Sequence, residues 1–173
     1  MDDIADRAGV SKPVLYQHFP SKLELYLALL DEHAEAMVEA VRTALESTHD
    51  NKQRVAETIA AYFRFVDEDG GAFRLVFESD LTNQPEVRER VEGTTLACAD
   101  LISAAIREDA GLPPEDARLL AVGLVGMAQV AARFWLRDGA TIPRDAAAAL
   151  IASLSWRGIS GYPLTEGHTA DSA

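Results

Sequence analysis

Ser11, Lys12, Tyr16, His18 and Lys22 crowd hydrogen-bond donors into "GVSKPVLYQHFPSK", residues 9 to 22, close to the start of the chain. Donors of this kind, two of them ammonium groups, suit an anionic partner rich in oxygen. They reach phosphate oxygens, and lysine also reaches O6 and N7 of guanine. Val14, the apolar residue among them, suits contact with a thymine methyl or simple packing.

Catalytic groupings are not legible elsewhere. His18, His33, His49 and His168 are scattered without metal-ligand spacing. Glu46-Ser-Thr-His49 matches one element of a helical di-iron site, which needs a second such element and two more glutamates. Neither a glycine-rich phosphate loop nor a G-x-S-x-G elbow is present, and Cys98 stands alone in apolar surroundings that suit a packing thiol. No enzyme, metal or cofactor is therefore expected. Glu78 and Asp80 read as acids at a helix end rather than as ligands for a cation.

The chain of 173 residues carries a net charge of −12, which at first opposes phosphate binding. Its distribution matters more. Asp2, Asp3 and Asp6 balance Arg7, Lys12 and Lys22 in residues 1 to 23, so the whole deficit falls on the remainder. One end can face phosphate while the rest stays dispersed by repulsion. The acidic N-terminus is unlike a signal sequence, and no apolar run is expected to approach the ~20 residues that span a bilayer. A single cysteine and these absences place the expected location in the cytoplasm, away from membranes.

The elements that must position these residues read as helices throughout, an all-α fold. Asp2 to Ala8 forms a first short helix that Gly9 stops. Ser11 caps a second, with Pro13 in its first turn, where a missing N–H does no harm. Pro20 ends it, and Ser21 with Glu24 opens a long third helix reaching about Ser47. Further helices are expected over about Lys52 to Asp67, Ala72 to Ser79, Pro85 to Asp109 (capped by Thr82 or Asn83), Glu115 to Arg137 and Arg144 to Ile159. A frayed tail follows "GYP".

Two short helices joined by "AGVS", the second rich in donors, form a helix-turn-helix pattern. "IADRAGVSKPVLYQHFPSKLEL" resembles the DNA-binding signature of the TetR family of bacterial transcriptional regulators. The resemblance implies that Ile4 to Ala8 support a recognition helix from Ser11 to His18. It implies a DNA-contacting set of Ser11, Lys12, Pro13, Val14, Tyr16, His18 and Lys22. Lys12 and Val14 are expected at base edges and the others at or near phosphates. Residues 1–24 are then the reading head, 25–163 an effector-binding and dimerisation domain, and 164–173 a flexible tail.

The family also implies a ligand-responsive homodimer, more often a repressor, on double-stranded DNA with a palindromic operator. Its members carry a further helix before the supporting one, so the sequence leads to the expectation of an upstream segment or a loosely held head. The competing expectation is a helical dimer that binds a ligand or partner without binding DNA stably. Gly123, Gly126, Val130, Ala149, Ile151 and Leu154 are candidates for the dimer interface, because helices apolar on nearly every face must be covered on nearly every face. For a cavity holding an unknown small-molecule effector the candidates are Phe63, Phe73, Phe77, Thr94, Thr95, Cys98, Gln129, Arg133 and Phe134. Tyr62 and Trp135 are further aromatics in the same helices.

Overall fold

Local chemistry sets the helix ends. In a computed structural model, which describes residues 1–68, 83–137 and 141–159, helix α1 (Asp2–Ala8) stops at Gly9, whose φ of 68° lies in the left-handed region. The N–H groups of Gly9 and Val10 turn back onto the carbonyls of Asp6 and Ala5, at 3.3 and 3.1 Å. Helix α2 (Lys12–His18) begins after Ser11, which has extended backbone and makes no side-chain cap bond, and carries Pro13 in its first turn. Helix α3 (Lys22–Glu46) starts where Ser21 Oγ accepts from the Glu24 N–H at 3.1 Å. Asp50 Oδ1 accepts from the Gln53 N–H at 2.7 Å and so opens α4 (Asn51–Glu68).

Helix α5 (Pro85–Ala110) is capped by Gln84 rather than by Asn83 or Thr82. Proline at the first helical position makes the residue directly before it the cap, whatever its side chain. Helices α6 (Pro114–Arg137) and α7 (Arg144–Ile159) complete the order, and no strand occurs among the described residues. The helix expected over 72–79 and the tail over 164–173 lie outside the described residues.

Three long helices stack around α4. Helix α3 packs against both α4 and α5, α5 runs along α6, and α4 runs along α7. Their shared core joins Met37 and Val41 to Phe63 and Val66, with Cys98, Val125 and Trp135 closing it. Ala121, Ala128 and Ala132 of α6 and Ala147, Ala148 and Ala152 of α7 are buried there too, and their small side chains let the helices approach closely. The Phe63 and Trp135 rings meet at 5.8 Å, tilted by 54°. Trp135 Nε1 donates to the Ile142 carbonyl at 2.7 Å, and Arg144 reaches Asp67 at 3.3 Å; together they fix the start of α7 against α6 and α4.

A second, smaller cluster sits near the start of α3. Tyr26, Leu27 and Leu30 of α3 pack on Val87 of α5. Arg90 clamps the same junction by donating to Asp31 at 2.7 Å. Membrane length needs correction: α6 is long and apolar enough to cross a bilayer by length and composition. Alanine, leucine and valine raise its hydropathy, yet one face is turned to the core, with Ala117, Ala121 and Val125 buried.

Candidate nucleic-acid interface and ligand cavity

Helices α1 and α2 touch through small apolar contacts, with Ala5 and Leu15 buried. Pinning Leu15 inward turns the opposite side of α2 outward. Ser11, Lys12, Pro13, Val14, Tyr16 and His18 are all exposed, and Lys22 is exposed at the start of α3. Exposure of Val14 and Tyr16 leaves their apolar surfaces open for contact with a partner. Lys12 is not isolated: its Nζ lies 2.6 Å from Asp2 Oδ2, and this hydrogen bond is the chief cause holding the Asp2 carboxyl below its ordinary value of 3.8. Phe19 is half-buried, its ring 6.4 Å from that of His18.

A cavity of about 240 Å³ lies among the five long helices. Met37 and Val41 of α3, Thr58 and Tyr62 of α4, Cys98 and Ile106 of α5, Gln129 of α6 and Trp156 of α7 line it. At one end Arg54 Nη1 and Asp109 Oδ2 pair at 2.8 Å, with little of either side chain exposed. Arg54 also donates to the Thr48 carbonyl and to Asn51 Oδ1, at 3.3 and 3.2 Å. Burial pushes the Cys98 thiol up to about 11 and the Tyr62 phenol well above its usual 10.0. Both groups are therefore neutral at physiological pH.

The expected pocket residues divide. Cys98 and Gln129 line the cavity. Phe63 sits behind the wall, its ring tilted against that of Trp135 in the core. Thr94 and Thr95 turn their hydroxyls onto their own helix, to the carbonyls of Arg90 and Val91 at 2.8 and 3.0 Å. Thr95 stands behind Gln129, accepting from its Nε2 at 3.0 Å. Arg133 and Phe134 face outward because the α6 stripe buried on the core runs through Ala128, Ala132 and Trp135. Phe73 and Phe77, with Glu78 and Asp80, lie outside the described residues. Thr58, Arg54 and Asp109 were not anticipated, since nothing in their spacing marks them from other polar helix positions.

Helices α6 and α7 both present apolar side chains outward. Leu119, Val130 and Phe134 on α6 and Leu150 and Leu154 on α7 each keep more than half their surface exposed. Gly123 and Ala149 are exposed beside them and Gly126 is half-buried, whereas Ile151 packs against the core. A side chain built at Gly123 or Gly126 would meet no atom within 4 Å, so packing inside the protomer does not require glycine at either position.

Comparison with known proteins accounts for both halves of this arrangement. Residues 1–29 match the family model for bacterial regulatory proteins of the tetR family, and residues 51–158 match that for the tetracyclin repressor-like C-terminal domain. The chain is 47% identical over 165 residues to the HTH-type transcriptional activator FasR of Mycolicibacterium smegmatis, an alignment covering 95% of this chain and 75% of the relative. It belongs to the TetR family.

As a TetR-family protein the chain is a DNA-binding transcriptional regulator and not an enzyme. A TetR-like regulator from Rhodococcus sp. RHA1 superposes with a TM-score of 0.69 at 27% identity, over 92% of this chain and 84% of that one. PfmR from Thermus thermophilus, another TetR-family regulator, gives 0.72 at 25% identity, over 90% and 86%. The nucleoid occlusion factor SlmA of Vibrio vulnificus is a more distant relative, 29% identical over 136 residues, or 73% of this chain and 67% of its own. Helices α1 and α2 fall within the first matched stretch, residues 1–29, and the exposed apolar side chains of α6 and α7 fall within the second, residues 51–158.

Proposed function

We propose that the chain is one subunit of a homodimeric transcriptional regulator whose DNA affinity responds to a small molecule in the cavity. The observation that carries this reading is the continuity of α3. It begins immediately after the donor-rich helix α2, and farther along the same unbroken helix Met37, Val41 and Leu45 line the cavity. At 1.5 Å per residue its 25 residues span about 37 Å, so a change at the cavity tilts the reading head through a stiff lever. Helix α5 makes a second link, with Val87 and Arg90 held against α3 and Ile106 and Asp109 at the cavity.

Dimerisation through α6 and α7 would cover their exposed apolar side chains and use the open space at Gly123 and Gly126. The two-fold axis then sets paired α2 helices on half-sites roughly 34–36 Å apart, on an approximately palindromic operator. Lys12 and Val14 serve as base readers, and Ser11, Tyr16, His18 and Lys22 as phosphate contacts. An effector acts by population shift, changing operator affinity only by its preference for one spacing of the heads. The family more often represses, but the relative at 47% identity is named an activator, which favours activation here.

Fluorescence anisotropy on DNA flanking the chain's own gene, against scrambled DNA at two salt concentrations, tests the reading. Sequence-dependent binding by a dimer is the expected result. Equal binding to both DNAs would overturn sequence-specific regulation and leave a helical dimer that binds ligand alone.

A further inference from the structure

The polar atoms around the cavity are nearly all spoken for. Arg54 is engaged by Asp109, Asn51 and the Thr48 carbonyl; Gln129 Nε2 by Thr95; and Ser155 Oγ by the Ile151 carbonyl at 2.8 Å. Thr58 and Tyr62 differ. Thr58 is 8% and Tyr62 6% exposed, both line the cavity, and among the described residues their hydroxyls are the buried side-chain polar atoms without a hydrogen-bond partner in the protein. They stand four residues apart on α4, on one face and one turn from each other.

We infer that these two hydroxyls are the polar anchor of the effector site, and that the effector is an uncharged, largely apolar molecule bearing one carbonyl-type acceptor. The inference rests on the reading of the cavity as an effector site. An acceptor oxygen has two lone pairs, and two O–H donors on one helix face suit it. Buried hydroxyls left unsatisfied are unfavourable, so an oxygen placed between them gains more than its hydrogen bonds would in water. A carboxylate is disfavoured because its direct partners would be two neutral hydroxyls, because the guanidinium of Arg54 is already neutralised by Asp109, and because Arg133, whose charge is felt at Tyr62, is exposed to solvent. Size follows from volume: an apolar cavity of about 150 Å³ holds benzene, so 240 Å³ suits about ten non-hydrogen atoms.

Three probes of that size separate the possibilities: propiophenone, butylbenzene and the phenylacetate anion, titrated calorimetrically into the full chain. Tyr62→Phe should weaken propiophenone by about tenfold while leaving butylbenzene unchanged or tighter, the effect of one hydrogen bond. Thr58→Val should act in the same direction. Circular dichroism of both variants confirms that the helices persist. If both neutral probes bind and Tyr62→Phe treats them alike, the effector reading stands and the hydroxyl anchor is overturned. Phenylacetate binding more tightly than propiophenone, and lost in Arg54→Gln, would also overturn it in favour of a carboxylate at Arg54. If none of the three probes binds the wild type, the cavity accepts no ligand of this size, and the effector reading falls together with the inference.

Discussion

Lys12 on the exposed face of α2 is held 2.6 Å from Asp2 on α1, so the side chain expected to read a base edge is tethered by the supporting helix. Both partners are more than half exposed, and such pairs contribute roughly 0–1 kcal/mol. DNA can therefore release the lysine with little resistance. Lys12→Ala should weaken operator binding and relax preference at about one base pair. Lys22→Ala should weaken all sequences alike and flatten the salt slope by about one. Anisotropy titrations on single-base operator variants across a salt series separate the two roles; equal loss of preference in both variants would sink the division.

Disruption of the exposed apolar side chains on α6 should separate association from folding. Val130 and Phe134 make few contacts inside the protomer, so Val130→Asp should change protomer stability by no more than about 0.5 kcal/mol. In a dimer closed by α6 and α7 the same carboxylate is buried without a partner. Analytical ultracentrifugation should then show monomer at concentrations where the wild type is dimeric. A dimer that survives the substitution would move the interface elsewhere.

Gly9 tests how the reading head keeps its angle. Its φ of 68° disfavours any residue with a Cβ, and no neighbouring atom within 4 Å adds a clash. Gly9→Ala should thus cost about 1–2 kcal/mol of purely backbone origin. The short α1 and α2 should feel it most. Hydrogen exchange should rise in residues 2–18 and stay unchanged in α6, with operator affinity falling in parallel.

Alkaline pH should weaken the larger domain through Cys98. Its thiol is raised by burial from 9.0 to about 11 in the folded chain, so the native state holds a proton that the unfolded chain releases sooner. The associated stability is complete below about pH 9 and is lost as pH rises toward 11, amounting to about 1 kcal/mol by pH 10. Tyr62, raised in the same direction by burial, adds to the loss above its usual 10.0. Urea denaturation at pH 7 and pH 10 should show a smaller decline in Cys98→Ala than in the wild type.

Short-range chemistry was legible in the residues alone. Gly9 as a helix stop, Pro13 in a first turn, Ser21 with Glu24, and the span Arg144–Ile159 depend on neighbours within about one turn, so sequence reading reaches them. The donor-rich α2 and its family resemblance were legible for the same reason: a helix-turn-helix is a local motif. Which face each long helix turns to which neighbour was not. Phe134 and Trp135 are adjacent aromatics on one helix, yet Trp135 is 8% exposed and Phe134 64%. That difference comes from rotation of α6 against α4 and α5, set by packing with residues far away in sequence. The same rotation put Gln129 on the cavity and Arg133 outside it, while the packing of α4 brought Thr58 and Tyr62 to the wall with their hydroxyls unpartnered. Periodicity specifies that a helix has an apolar side; only the tertiary contacts decide what that side meets and where it leaves a space.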